Sequence, residues 1–565
     1  MKISMKKKLA FLALLTIPAF TLTACSDLLD MFYFGGSFFP QGGYQSISTP
    51  PPGDTEPHYA PTEYTYASYI SNNCYHLSAT PAIGTAKLLV IPVWFSDSTN
   101  YITISKREDV RSDIRATYFG ANEETGWRSV KTYYEEESHG KLTINGTVAP
   151  WYECGKDTLY YAVDGNEQTG VEKTTGLLNN ALNWYFTNNP SEDKKDYDCD
   201  GDGYLDGIML IYAAPDFQAI KRDLYSNLWA YCYWIQDPHV KSVSNPGANA
   251  FFWASYDFMY GSVRAKARTG MTYSNGDTSH ALIDAHTYIH EMGHMFGLVD
   301  YYDYTKRYDP CGGFSMQDNN VGGHDPFSSF ALGWGKAYVP TETTVIDLKP
   351  FSTSGEVIIL KPNAESYNYS PFDEYIMLEY FTPTGLNEFD CTYKYMSSEG
   401  KDYSMGSQSP GIRVWHVDGR LLYPKNLSGG HYVFEESKVT TNPSFANTYG
   451  VTLMMSNTYY KDGSESSYLS PLGRDYSDYN LLQLIRSSTT YTNKVPAKSG
   501  NSFSSASLFK YGNNFSMEKY QGQFVHYSNE GGHNVGLLNT KSDLGFSFEI
   551  NGCTEEFASI TITKL

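Results

Sequence analysis

Two histidines and a glutamate near the middle of the chain stand at a spacing that suits hydrolytic chemistry. His290, Glu291 and His294 spell H-E-x-x-H within HTYIHEMGHMFGLVDYYD, residues 286–303. On a helix of 3.6 residues per turn the two histidines project from one face, a turn apart, and can hold one metal ion. Glu291 adjoins the first histidine, close enough to take a proton from a bound water without being a ligand, which is the arrangement a zinc hydrolase needs. Three residues after His294 comes Gly297, where a residue without a side chain can turn the chain at the end of the helix. The turn would return Asp300 as a third ligand and leave the fourth position open for water, as in a catalytic zinc site. A structural zinc clip would more often close four ligands, commonly cysteines, and none flank this segment. His286 could form a rival pair with His290, but it lacks a glutamate at the second position and a turn at the right distance.

The elements that must position these residues follow from hydropathy patterning. Thr278 or Ser279 is the expected N-cap of the metal helix, and Ala281, Leu282, Ala285, Ile289 and Met292 recur at helical spacing, so one side can be buried. Upstream, Leu88 to Phe95 is an apolar run ended by Ser96-Asp97, as expected for a buried strand. A helix is predicted over Ser129 to Glu137, stopped by His139-Gly140, and an alternating strand over Lys141 to Val148. Downstream, Met316 is expected either in a tight turn beneath the metal or as plain core. His324 offers a spare ligand or substrate contact, although a loop histidine without a spacing argument is expected to be neither. Phe327 to Leu332 reads as a helix ending in Gly333-Trp334-Gly335.

A second acidic constellation precedes the metal helix. In DYDCDGDGYLDG, residues 196–207, Asp198, Asp200, Asp202 and Asp206 with Gly203 follow the first nine positions of an EF-hand-like calcium loop. Position twelve is Met209 rather than glutamate, so another part of the chain or water must complete the shell. So many carboxylates in one turn repel one another unless a cation neutralises them. Ile208 to Tyr212 follows as a core strand, whose entry into the sheet a calcium ion would fix.

The chain begins with a basic stretch and an apolar run from Leu9 to about Leu22, too short to favour a membrane-spanning helix and expected to be an export signal. Leu22-Thr23-Ala24-Cys25 resembles a lipobox, in which Cys25 would be lipidated and anchor the chain outside a bacterial membrane. The other seven cysteines are widely spaced and odd in number, which does not read as a disulfide framework. The formal charge of −20 opposes nucleic acid and anionic lipid as partners. With 49 tyrosines the chain can fill large cores. From Ser26 to about Ser78 the composition turns to Gly, Pro, Ser, Thr and Tyr, expected to be an extended spacer or a short pro-segment.

Beyond Thr343, short alternating runs such as Val357 to Leu360, Tyr375 to Tyr380, Ile412 to His416, Phe546 to Ile550 and Ile560 to Ile562 are separated by Gly-, Ser- and Asn-rich turns. They read as a β-sandwich or related sheet domain. His416 and Asp418 share one face of a strand and are expected to form a structural polar pair.

Taken together, Leu88 to Asp97, Tyr133-Tyr134 with Ser138 to Thr143, the Asp-rich loop, H-E-M-G-H-M-F-G-L-V-D, Ala331 to Trp334, Glu374 to Tyr380 and Gly411 to Asp418 resemble the M6 family of bacterial metallopeptidases, the immune inhibitor A type. The resemblance spans roughly residues 85 to 550. It implies that His290, His294 and Asp300 bind zinc, that Glu291 is the general base and acid, and that the Asp198 to Asp206 loop binds calcium. It also implies an α+β fold, with a metzincin-like catalytic domain followed by a β-rich, sandwich-like C-terminal domain. The chain departs from the family around Phe381 to Pro410 and in its Ser- and Tyr-rich stretch from Ser456 to Tyr491.

The expected organisation is a signal peptide over 1–24, a lipidated Cys25 with a linker to 80, a catalytic domain over 81–342 and a β-rich domain over 343–565. The expected function is a cell-surface, lipid-anchored, monomeric zinc endopeptidase with a structural calcium ion, cleaving extracellular proteins or peptides with Glu291 and a zinc-bound water. The alternative is a surface adhesin or glycan-binding module on a peptidase-derived scaffold, with the aromatic-rich C-terminal half as its binding face.

Overall fold

The computed structural model describes residues 56–565 except 74–79, 126, 163–166, 217–226, 236–240, 261–282, 304–308, 319–321, 393–394, 397–401, 404–405, 428–430, 442–452, 455–456, 458–479, 492–506 and 528–532. The expected signal peptide and Cys25 therefore lie outside the described residues. No helix among the described residues is long and apolar enough to cross a membrane.

In chain order the elements used below are β1 (His58–Tyr59), β2 (Gly84–Trp94), α1 (Arg107–Phe119), α2 (Val130–Glu137), β3 (Leu142–Val148), α3 (Glu167–Asn188), β4 (Ile208–Tyr212), β5 (Tyr231–Trp234), β6 (Ala250–Ser255) and α4 (His286–Met295). Then follow α5 (Pro326–Ala331), β7 (Lys336–Tyr338), β8 (Thr344–Leu348), β9 (Glu356–Leu360), β10 (Glu374–Phe381), β11 (Gly411–Asp418), β12 (Leu482–Ile485), β13 (Asn514–Phe515), β14 (Phe546–Cys553) and β15 (Ala558–Lys564).

The N-terminal sheet has the order β3-β2-β4-β6-β5, with Tyr152–Glu153 added beside β2. β2, β3, β4 and β6 run parallel, and β5 closes the edge antiparallel to β6. Parallel strands covered on both faces need apolar side chains on both, hence the near-continuous runs. The two faces separate by alternate residues. Leu88 and Val90 of β2, Met209 and Ile211 of β4 and Phe252 of β6 pack in the core shared with α4. Leu89, Ile91, Val93, Leu210 and Trp253 pack in a second core against Leu178, Ala181 and Tyr185 of α3.

Helix α2 starts where its residues dictate. The Ser129 hydroxyl accepts from Thr132 N, and the Thr132 hydroxyl accepts from Ser129 N, a reciprocal capping box. The helix ends at Ser138, followed by positive φ at His139 (53°) and Gly140 (75°). Its last residue, Glu137, is buried and accepts from the Ser329 hydroxyl at 2.8 Å. Burial pushes this carboxyl up to about 8, against the pull of that hydrogen bond and of the His324 backbone. The folded chain thus holds a proton that the unfolded chain releases near pH 4.5. The stability this confers is fully present below that pH and is lost as pH rises towards 8, by on the order of 1.4 kcal/mol per pH unit at most. Denaturant titrations at pH 5 and 8 should show that slope in the native chain and a flatter one in Glu137→Gln; equal slopes would exclude Glu137 as its source.

The β-rich half contains a six-stranded sheet, β1-β7-β9-β10-β11-β12, and a four-stranded antiparallel sheet, β13-β14-β15-β8. Two features differ from the organisation expected of the sequence. His58–Tyr59 pairs with Lys336–Ala337, and Tyr64, Tyr66 and Tyr69 are buried, Tyr66 against Phe327 and Phe372. Part of the expected spacer is therefore folded, because its tyrosines bury large ring areas that outweigh the Gly- and Pro-rich composition around them. Second, β7 lies before residue 343 yet pairs in parallel with β9 beyond it. One continuous core runs from Ala60 through Phe296 and Trp334 to Ile562, so the boundary at 343 does not divide two cores.

The pair on β11 is structural, as expected. His416 Nε2 lies 2.8 Å from Glu374 Oε1, Asp418 holds Arg420 through both oxygens, and Asn539 Nδ2 donates to Asp418 at 2.8 Å. Glu374 is on β10, Arg420 follows β11 and Asn539 comes from the segment before β14, and burial makes their mutual satisfaction necessary.

Candidate metal centre

Helix α4 begins at His286, later than the expected caps would start it, because residues 283–285 are not helical; Ala285 is its N-cap and makes no side-chain cap bond. Thr278 and Ser279, the expected caps, lie outside the described residues, as do Ala281 and Leu282. Two tyrosine hydroxyls fix the helix: Tyr134 donates to Ile289 O at 2.7 Å, and Tyr288 donates to Ser255 O on β6 at 2.7 Å. At the other end Thr80 N donates to Met295 O at 2.9 Å, occupying a carbonyl that the last turn leaves open.

Gly297 terminates the helix as its spacing implies. It has φ +93°, its N–H bonds His294 O at 2.8 Å, and Leu298 N bonds Gly293 O at 3.2 Å, which is the paired pattern of a Schellman motif. That reversal brings Asp300 to the helix. Gly297→Ala, forced into a conformation L-residues avoid, should lower stability by about 1–2 kcal/mol and release zinc faster. Unchanged zinc retention in a folded Gly297→Ala chain would show that the turn does not set the Asp300 position.

The three expected ligand atoms converge. His290 Nε2 lies 3.2 Å and His294 Nε2 lies 3.3 Å from the same Asp300 Oδ1. For metal–ligand bonds of about 2.0–2.1 Å, tetrahedral geometry sets neighbouring ligand atoms about 3.3 Å apart. The hydrogen bonds behind the rings settle which nitrogen is bare. His290 Nδ1 is 2.7 Å from Met316 O and His294 Nδ1 is 2.9 Å from Leu298 O. A carbonyl only accepts, so each Nδ1 carries a proton, and a ring that holds no second proton presents an Nε2 lone pair to the carboxylate oxygen. Lone pairs converging at that distance require a cation between them. The residues fit a zinc ion.

Without a metal, a proton can serve instead. Burial lowers the His294 pKa, but the Asp300 carboxylate outweighs it and lifts it to about 9. Asp300 is held well below the usual carboxylate range by His294 and His290, although burial acts in the other direction. With His294 and Asp300 fully buried and His290 partly so, the donor set is arranged around positive charge.

Glu291 is buried beside this group, with ligand-type atoms of His290, Glu291 and His294 all within 4.8 Å of one another. Its Oε2 has no hydrogen-bond partner among the described residues. Burial raises its pKa, the imidazoles oppose that, and Asp300 adds to it. A carboxylate with a bare oxygen next to a metal position can accept a proton from water.

His286 stands at the first position of α4 and is not part of the cluster. His324 is buried against Tyr133, Tyr134 and Trp334, and burial, followed by His290 and His294, lowers its pKa to about 3. It packs as a neutral ring among these aromatic side chains. Met316 is buried and contributes its carbonyl to His290, within a turn closed by Asp318 N to Ser315 O at 2.9 Å. Tyr301 N donates to Gln317 O at 2.9 Å and ties that turn to the ligand-bearing loop.

Three neighbours escape sequence reasoning. Cys232 on β5 places Sγ 3.0 Å from Glu291 O. The Tyr302 hydroxyl has its pKa driven well above the usual value by burial and then by Asp300 and Glu291. Gln317 packs on His294. Cys232 and Gln317 carry no local signal, whereas Tyr302, two residues from Asp300, could have been found by its proximity.

In the acidic loop, Asp198, Asp200 and Asp206 bring carboxylate oxygens within 4.8 Å of one another, and Asp202 is not among them. Asp206 accepts from Lys87 N and Cys199 N, both at 2.9 Å, and Asp202 accepts from Tyr204 N at 2.8 Å. Asp198 Oδ1 is buried without a hydrogen-bond partner among the described residues. Burial, and next the Asp202 charge, raises Asp200 to about 6; burial raises Asp206 to about 7. The six described cysteines are all free thiols, and Cys74 lies outside the described residues.

A mixed sheet backing a short helix with two histidines, an adjacent acid and a returning carboxylate defines the class of single-metal peptidases. Residues 80–320 match the family model of the immune inhibitor A peptidase M6 catalytic domain. It is 27% identical over 239 residues to the pre-pro-metalloprotease PrtV of Vibrio cholerae serotype O1, covering 38% of this chain and 24% of that protein. It is 25% identical over 212 residues to immune inhibitor A of Bacillus thuringiensis subsp. alesti, covering 34% of this chain and 28% of the relative. The chain thus spans about a quarter of the length of the curated relatives it matches.

Proposed function

We propose that the chain is a zinc-dependent endopeptidase that cleaves extracellular proteins or peptides, with His290, His294 and Asp300 as the metal ligands and Glu291 as the general base. The observation that carries this reading is the convergence of His290 Nε2 and His294 Nε2 on Asp300 Oδ1, at 3.2 and 3.3 Å, beside a Glu291 oxygen that has no hydrogen-bond partner among the described residues. When bound there, zinc supplies an electrophile that polarises the scissile carbonyl and makes water more acidic. Glu291 takes the proton of the attacking water and passes it to the departing amine. Met316 O and Leu298 O hold the imidazoles in the tautomer that faces the site.

In this reading the catalytic region is metzincin-like, the C-terminal sheets form a sandwich, and the monomeric chain is tethered through Cys25 to the outside of a bacterial cell. Asp198, Asp200, Asp202 and Asp206 hold a structural calcium ion, a role favoured by the buried, unpartnered Asp198 Oδ1. Calcium should raise the melting temperature of the chelator-treated native chain and leave that of Asp198→Asn unchanged; equal responses would remove the loop from calcium binding.

The test of function uses the chain from residue 26 onward, because Tyr64, Tyr66 and Tyr69 belong to the core. About one zinc per chain and casein cleavage abolished by a chelator are expected. Cleavage that persists after zinc is removed would overturn the reading.

A further inference from the structure

Gln317 takes no part in the hydrolytic scheme, yet its side chain is buried against the metal helix. Its Nε2 stands 3.3 Å from His294 Nδ1, the ring nitrogen that does not face Asp300. Its Oε1 is buried with no hydrogen-bond partner among the described residues. The amide reaches this place because the residue between Met292 and His294 is glycine. A Cβ on Gly293 would stand 2.2 Å from Gln317 Oε1 and 2.7 Å from its Cδ. The glycine inside the H-E-x-x-H stretch therefore opens the space that Gln317 fills.

The His294 proton determines what the amide can do. Nδ1 carries it, since Leu298 O, 2.9 Å away, can only accept. A half turn of the amide puts Oε1 on that N–H, giving the orphan oxygen a donor and the proton a second acceptor. Metal-bound histidines are oriented and made more basic by such partners on their far nitrogen. The turn from Ser315 to Asp318 then supports both histidines from adjacent residues, His290 through the Met316 carbonyl and His294 through the Gln317 side chain.

We propose that Gln317 is a positioning residue for the metal ligand His294, seated on the helix by the absence of a side chain at Gly293. This inference rests on the zinc-site reading above. Its amide oxygen, as a second acceptor on that N–H, fixes the plane of the ring, and thereby the direction of the Nε2 lone pair.

The experiment measures the zinc affinity of the full chain by competition with a chelating dye, together with kcat and KM for a peptide. Gln317→Leu, similar in volume and unable to accept, should weaken zinc binding by about 10–100-fold and leave KM unchanged at saturating zinc. Gln317→Glu presents an oxygen to the same proton and should hold zinc at least as tightly as the native chain. Gly293→Ala should reproduce the loss by displacing the amide, and should cost nothing further in a Gln317→Ala background, because both changes remove one contact. Native affinity in Gln317→Leu, or equal losses in the Leu and Glu variants, would overturn the assignment by reducing Gln317 to packing. If Gln317→Leu does not fold, the Glu variant decides: native affinity supports the role and a loss overturns it. A native chain that binds no zinc at all would sink the zinc reading itself and the inference with it, an outcome distinct from a tight native site indifferent to Gln317.

Discussion

Glu291→Gln is expected to bind zinc as the native chain does and to lose about 10²–10⁴-fold in kcat, the range a positioned general base contributes. The substitution keeps the shape of a buried side chain whose carboxylate lies within 4.8 Å of the ligand-type nitrogens of His290 and His294. It removes the bare Oε2 as a proton acceptor and leaves the His290 and His294 hydrogen bonds to Met316 O and Leu298 O untouched. Metal analysis and steady-state kinetics on one preparation separate the effects. Full zinc with native turnover would remove Glu291 from its role; loss of zinc would show that it holds the metal rather than the proton.

Asp300→Asn should have the largest effect on metal retention. The carboxylate oxygen is the one atom shared by both imidazoles, and the variant keeps the oxygen while deleting the charge. The fall in zinc affinity should exceed the roughly 10–100-fold typical of residues that touch a ligand from behind. Zinc also stabilises the fold by linkage: at free zinc a thousand times the dissociation constant, the native chain should gain about 4 kcal/mol. Asp300→Asn should forfeit most of that gain at the same zinc concentration, so chelator should lower the melting temperature of the native chain far more than that of the variant. Equal chelator shifts would show that Asp300 is not a ligand.

What was legible in the sequence was local. The interval from His290 to Asp300 encodes a helical face, a glycine stop and a return, and the Gly297 turn needs only the residues on either side of it. Strands β2 and β4 were readable because both their faces are buried, which leaves no polar alternation to confuse. The Ser129 cap was readable because its partner lies three residues away. Contacts made across the fold left no such trace. Cys232 meets Glu291 from a strand nearly sixty residues upstream, and the Met316 carbonyl serves His290 whatever side chain Met316 bears. The start of the β-rich sheet was misplaced for a related reason. β7 is three residues long, too short for a periodic signal, and its partner β1 sits in a Gly- and Pro-rich background that argued for a spacer.

The pairing of His58–Tyr59 with Lys336–Ala337, and of that strand with β9, has a consequence for how the enzyme comes into being. Its sheet joins a segment near residue 58 to one near residue 336 and to strands as far on as residue 485, so long loops must close before it is complete. A ribosome or export channel that has released only the first 340 residues holds a metal helix whose neighbouring sheet lacks four of its six strands. Completion of that sheet therefore waits until residue 485 has emerged.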